Sequence, residues 1–276
     1  MAAAGTQLLT AAAEAVGVQH ATVLLTTKIS LAVQIATGLV GLQGLTYALP
    51  QPHAVLTHLL ALETVVQFVE LTFYAWFVYR FNLSTMALTR YADWFFTTPT
   101  MLLTTIMYFR YQSVVNGAAA KSAAANEKFT SDEKPAAAPA KPLTSFFKTI
   151  SDFVRENKKE VATILGANVF MLAAGALGEV GAISRAASVV LGFGGLAVSF
   201  ATIYAGFAKD SPVGRALFAI LTALWSAYGV AFMFPPAAKN IAFNVLDVFA
   251  KNFFGVYLYF QVRRIAALSA AAAAEA

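Results

Sequence analysis

The sequence predicts an all-α membrane protein, a bundle of seven transmembrane helices with its N-terminus outside. Three observations carry this prediction. First, the 276 residues are 59% hydrophobic and only 12% charged, with a mean hydropathy of +0.66, whereas a soluble domain carries about twice that charged fraction. Second, apolar runs of about 20 residues, the length a bilayer-spanning helix requires, recur along the chain. Third, the basic residues are sorted to one side of those runs, as the loops of a membrane protein are.

The first span runs over about 23–49 and stops at Pro50-Gln-Pro52. The second covers 55–79, before Arg80-Phe-Asn82, and the third 86–109, ending at Tyr108-Phe-Arg110-Tyr. The fourth covers 160–178, with Gly178 and Gly181 as exits, and the fifth 185–207, ending at Lys209-Asp-Ser-Pro212. The sixth runs over 213–234 to Pro235-Pro236. The seventh covers 240–264 and is closed by Arg263-Arg264.

Residues 1–22 lack a basic stretch ahead of their first apolar run and are expected to be a short tail, not a cleaved signal peptide. Between the third and fourth spans, 116–147 is rich in Ala, Lys and Pro. It cannot bury a core, and is expected to be a mobile loop followed by an interfacial helix near 143–156. Residues 265–276 form an Ala-rich tail.

With these spans, thirteen of the nineteen Lys and Arg residues lie in the third-to-fourth and fifth-to-sixth connections and at the C-terminus. Four (Lys28, Arg80, Arg185 and Lys239) lie on the opposite side. That asymmetry places the C-terminus in the cytoplasm. The net charge of +5 therefore reflects topology, not nucleic-acid binding. The absence of cysteine removes disulfides and thiol chemistry.

The two remaining basic residues, Arg90 and Lys251, fall inside spans. A charge at the centre of a membrane helix costs roughly 2.5–3.5 kcal/mol on insertion scales, so such a residue normally carries function. Lys251 has largely apolar residues on both sides, and Asp247 lies one turn before it on the same face. A desolvated amine is the standard nucleophile toward a carbonyl, giving a Schiff base. A lysine that snorkels to the interface is the competing explanation. On the third span, Arg90, Asp93 and Thr97 follow one another at one-turn intervals. Two carboxylates, Asp93 and Asp247, facing a protonated imine and an arginine would make a nearly neutral quadrupole, the arrangement in which buried charges are tolerable. A salt-bridge cluster without a cofactor would use the same residues.

The motifs Arg90-Tyr-Ala-Asp93-Trp94-x-x-Thr97-Thr98-Pro99, Trp225-Ser-Ala-Tyr228 and Leu246-Asp247-x-x-x-Lys251 together resemble the microbial (type 1) rhodopsins, in the right helices and the right order. The resemblance covers all seven spans. It implies all-trans retinal attached covalently to Lys251, with Asp93 and Asp247 as counterions. Trp94, Thr98, Trp225 and Tyr228 would line the polyene pocket; Met101, Asn168, Met171 and Gly175 match the ring-side and colour-tuning positions more loosely. In the family, residues at the Thr98 and Asn168 positions often bond across the retinal and set gating kinetics. Gly229 stands where pumps usually have proline. Thr104 stands where outward proton pumps carry a proton donor, and Lys239 stands where they carry proton-release acids.

The second span points to a channel. Glu63 and Glu70 share a face of an otherwise apolar helix, Ser30 and Gln34 lie at i, i+4 on the first span, and Asn244 and Asn252 flank Lys251. Such a line of carboxylates, amides and hydroxyls could replace the hydration shell of a moving cation; interhelical hydrogen bonding would use the same groups. The combination is similar to the group 1 viral rhodopsins of giant algal viruses, which implies a light-gated cation channel passing monovalent cations or protons. Under that resemblance Asp93 is the proton acceptor and Arg90 the outer gate. Glu70 with Ser30, Gln34 and Asn252 forms the central constriction, while Glu63 and Asn244 lie toward opposite ends. The expected partners are retinal and the lipid bilayer, with a homo-oligomer compatible with the sequence. No enzyme activity, metal site or nucleic-acid partner is expected. A light-driven outward proton pump, a photosensor coupled to a partner, and a seven-helix receptor or transporter without retinal are the competing functions.

Overall fold

A computed structural model describes the backbone of residues 2–125 and 142–275 and the side chains of residues 17–117 and 145–275. The middle of the expected mobile loop, 126–141, lies outside the described residues.

All the described elements are helical: α1 (Ala2–Gly44), α2 (Ala54–Tyr79), α3 (Leu83–Ala125), α4 (Pro142–Glu156), α5 (Lys158–Glu179), α6 (Arg185–Ile203), α7 (Pro212–Ala231), α8 (Pro236–Asp247) and α9 (Phe253–Glu275). A π-helical turn, Tyr204–Ala208, extends α6, and a second, Val248–Asn252, joins α8 to α9 into one long helix. The seven expected spans are therefore α1, α2, α3, α5, α6, α7 and the composite α8–α9. The expected interfacial helix is α4, in which Phe153 is buried against Phe207 while Phe147 stays exposed.

Three helices outrun their expected limits. Helix is continuous from Ala2, from Leu83 to Ala125, and out to Glu275. Alanine has the highest helix propensity, so the Ala-rich segments flanking these spans continue the helix. α1 instead ends early, at Gly44, and the chain turns through 45–53 into α2.

Six of the seven spans are long and apolar enough to cross a membrane by composition. α3 is the seventh, and Arg90, Asp93 and the threonines 97, 98, 100, 104 and 105 dilute its hydropathy. Polarity is distributed inside out. Arg90, Asp93, Glu63, Glu70, Asn244, Asp247 and Lys251 are buried, while Leu25, Phe68, Trp76, Phe96, Val190 and Phe249 are exposed. A bundle that buries its charges and presents leucine and phenylalanine outward is solvated by lipid. The chain is an integral membrane protein.

Candidate functional site

Lys251 lies in the π-helical turn that interrupts the last span. Such turns insert one residue into the ladder, re-aim the side chains and collect at functional sites. Here the amine is buried and faces the carboxylates of three helices. Lys251 Nζ is 2.5 Å from Asp93 Oδ2, 3.2 Å from Glu70 Oε1 and 3.7 Å from Asp247 Oδ1. Only the Asp93 contact has hydrogen-bond geometry. Glu70 lies within ion-pairing reach, yet neither of its oxygens makes a hydrogen bond.

Asp247 is held chiefly by other groups. Tyr74 Oη donates to its Oδ2 at 2.7 Å and Tyr228 Oη to its Oδ1 at 2.7 Å. Arg90 Nη1 donates to Oδ2 at 2.8 Å. Arg90 is itself fully buried, with its guanidinium over the rings of Tyr74, Phe77 and Phe243. It also bonds Asn244 Oδ1 and approaches Asn240 Oδ1 at 3.5 Å. The two cations thus divide the aspartates, Lys251 with Asp93 and Arg90 with Asp247. The expected quadrupole of four charges gains Glu70 as a third carboxylate. Its place beside the amine follows from α2 packing against the π-helical turn, a contact that sequence spacing along one helix does not reveal.

Beside the amine opens a cavity of about 110 Å3. Trp94, Thr98, Met101, Met171, Gly175, Trp225, Tyr228 and Lys251 all line it. Thr97, Asp93 and Asp247 do not. The Thr97 hydroxyl turns back to the carbonyl of Asp93 at 3.0 Å. Asn168 lies behind the wall and donates through Nδ2 to Thr98 Oγ1 at 2.9 Å. Tyr228 serves both the cavity and Asp247. Two glycines give the cavity its shape. A Cβ on Gly175 would collide with the Tyr91 hydroxyl, and one on Gly229 would stand 2.6 Å from Phe193. The absence of proline at Gly229 is therefore matched by a phenylalanine ring occupying the space. An apolar cavity with a buried primary amine at its wall fits an apolar aldehyde joined to that amine.

The remaining polar residues form a line beside the charges. Ser30 donates to the carbonyl of Asn244 at 3.0 Å, and Asn244 Nδ2 donates to Thr26 at 2.8 Å and Thr27 at 3.0 Å. Gln67 Nε2 donates to the carbonyl of Lys251 at 2.8 Å, and Thr37 bonds both Gln67 and Asn252. Gln34 is fully buried, and both its amide atoms lack partners. Glu63 accepts from Thr104 through one oxygen, and its other oxygen is orphaned. Sequence reasoning missed Tyr74, Gln67, Thr37 and Asn240. Helical spacing marks them: Glu63, Gln67, Glu70 and Tyr74 form one stripe, as do Asn240, Asn244, Asp247 and Lys251.

The fold and site together are a seven-helix membrane bundle with a buried lysine, its carboxylates and an adjoining apolar cavity. The sequence matches the profile of the family described as bacteriorhodopsin-like protein over residues 25–265, and the chain belongs to that family. Among solved structures it is similar to the viral rhodopsin OLPVRII, with 24% identity, 88% of this chain and 98% of that one covered, and a TM-score of 0.66. It is also similar to Exiguobacterium sibiricum rhodopsin (14% identity, 90% and 98% covered, TM-score 0.61). A third is xanthorhodopsin, described as a light-driven ion pump with dual chromophore (15% identity, 91% and 96% covered, TM-score 0.59). At these identities the likeness speaks to the fold. No curated protein sequence matches the chain.

Proposed function

We propose that the protein is a retinal-binding photoreceptor that acts as a light-gated cation channel, with all-trans retinal attached to Lys251 and a polar path along α1, α2 and the α8–α9 helix. Retinal, when bound, supplies a polyene whose light-driven isomerisation moves the group attached at Nζ. In this reading the N-terminus faces the exterior and the C-terminus the cytoplasm.

The observation that carries the channel reading is a group of buried polar atoms on α1 and α2 without hydrogen-bond partners: both oxygens of Glu70, one of them 3.2 Å from Lys251 Nζ, both amide atoms of Gln34 and one oxygen of Glu63. Buried polar groups are nearly always hydrogen-bonded, and an orphaned one costs about 1–3 kcal/mol. Several such atoms on two neighbouring helices point to water or a passing cation as their partner. The chain's residues then divide the work. Asp93, 2.5 Å from Nζ, accepts its proton, which leaves the amine site neutral and weakens its hold on Glu70. Asp247, fixed by Arg90, Tyr74 and Tyr228, keeps its position through that transfer. Arg90 with Asn244 closes the outer end, and Glu63 with Thr104 lies toward the inner end.

A specific contact supports a second reading, an outward proton pump. The hydroxyl of Thr104 is bonded to the Glu63 carboxyl, so an acid from α2 stands beside the position where pumps carry their donor. Light-evoked currents recorded against voltage, in sodium and then sodium-free solution, separate the two. Currents that reverse sign and shift with the sodium gradient are expected of the channel. Outward currents at every voltage would overturn it in favour of the pump.

A further inference from the structure

At the end of the bundle where the chain turns from α1 into α2, residues 50–53 face the far extensions of α3 and α9 across a cleft of about 500 Å3. Seven polar side chains line it: Gln51 and His53 from the turn, Tyr111 and Gln112 from α3, and Gln261, Arg264 and Ser269 from α9. None of its lining residues is a carboxylate. Arg264 is exposed and forms no ion pair among the described residues. A concave site with one guanidinium, several amide and hydroxyl groups and no acid has the electrostatics of an anion site.

Two of these groups are fixed from behind. His53 Nδ1 is 2.6 Å from Tyr111 Oη, and Gln112 Nε2 donates to Tyr108 Oη at 2.5 Å. When Tyr111 donates to Nδ1, the His53 ring carries its proton on Nε2 and offers it as a donor. The opposite wall is apolar, made by Val115, Ile265 and Leu268, and Leu268 is 61% exposed. Ile265 and Leu268 stand in that wall because α9 continues as a helix beyond Arg264, where the span itself was expected to end.

We propose that this cleft binds a phosphate-bearing anion, with Arg264 as the charge partner and His53, Gln51, Gln261 and Ser269 as the neutral donors, and that its usual ligand is the headgroup of an anionic lipid. Several donors beside an apolar wall at the end of the helix bundle match a phosphodiester that carries an acyl chain. Basic pockets at the ends of membrane helices recognise such headgroups. The site lies apart from Lys251 and its cavity, and it does not depend on the chain being a channel.

The test is native mass spectrometry of the full chain released from detergent, supplemented with dioctanoyl phosphatidylglycerol or with dioctanoyl phosphatidylcholine. The phosphatidylglycerol adduct is expected to dominate, and Arg264→Gln should weaken it about tenfold, the effect of losing one charge-assisted hydrogen bond. Equal adducts with both lipids, or an adduct unchanged in Arg264→Gln, would overturn the proposal. Circular dichroism checks that each variant is helical. Should Arg264→Gln fail that check, Gln261→Leu carries the same test, with a weakened adduct supporting the site and an unchanged one overturning it. Inorganic phosphate that displaces the lipid shows that the site takes the free anion as well. Lipid adducts that survive phosphate assign the site to the anchored headgroup.

Discussion

Tyr74→Phe isolates one oxygen atom at the centre of the charge cluster. The hydroxyl donates to Asp247 Oδ2 at 2.7 Å and accepts from Arg90 Nη1 at 3.1 Å. The substitution keeps the ring under the Arg90 guanidinium and its edge contact with Phe77, so packing is preserved. No charge is orphaned. Asp247 retains Arg90 and Tyr228, and Arg90 retains Asp247 and Asn244. The loss is therefore that of a charge-assisted hydrogen bond with its partners still paired, about 1.5–2 kcal/mol, at the low end of the range for bonds to ions. Removing a whole partner of a buried ion pair would cost more, about 3–5 kcal/mol. At roughly 2–4 °C per kcal/mol for a chain of this size, the visible band of the retinal-loaded protein should be lost about 5 °C earlier on heating in detergent. Tyr79→Phe, at an exposed ring, is the control and should leave the melting temperature unchanged. If Tyr74→Phe melts within about 1 °C of the parent, the hydroxyl contributes no net hydrogen bond, and its place as an organiser of Asp247 is refuted.

Lys251→Ala should abolish the visible absorption of protein supplied with retinal, and leaving Asp93 and Glu70 without their cation should lower its thermal stability; a coloured variant would sink the assignment of the attachment site. Gly175→Leu places a side chain where the Tyr91 hydroxyl lies and should cut the yield of pigment or move its absorption maximum, which a spectrum after retinal titration reads directly. Glu63→Gln should shift the reversal potential or the amplitude of the photocurrent while leaving the colour unchanged, since Glu63 does not line the cavity. In the same recordings Thr104→Val, which leaves the second Glu63 oxygen without a partner too, should move the current in the same direction.

The parts of the site that were legible in the sequence are those where burial of a charge is itself the signal. A lysine or an arginine inside an apolar run has few structural explanations, so Lys251, Arg90, Asp93 and Asp247 stood out without any knowledge of the fold. Tyr74, Gln67 and Thr37 did not, because tyrosine, glutamine and threonine are unremarkable within a membrane span, and only their register with Glu63, Glu70, Ser30 and Gln34 marks them. Contacts between helices were the harder class. Thr104 taken alone is a position lacking an acid, yet the acid is present, supplied by Glu63 from 41 residues away. The π-helical turn at Val248–Asn252 leaves no trace in composition, since it is set by packing around Lys251.

The cluster also explains why α3 spans the bundle although its composition argues against insertion. Arg90 and Asp93 would each be costly in hydrocarbon, but neither meets lipid, because each is paired with the α8–α9 helix through Asp247 and Lys251. The two ion pairs tie the same two helices together on either side of one turn of α3. Movement of the amine away from Asp93 therefore acts on α3 and on the last span at once, and the Arg90–Asp247 pair beyond it resists or transmits that movement. Glu70 on α2 and Gln34 on α1 belong to helices that pack against the Val248–Asn252 turn. A change in the Lys251–Asp93 contact reaches Glu70 without any intermediate element, since Glu70 already stands 3.2 Å from the amine. In the proposed channel, colour and conduction would be coupled through a single nitrogen atom, so variants of Glu70 should alter both where variants of Glu63 alter conduction alone.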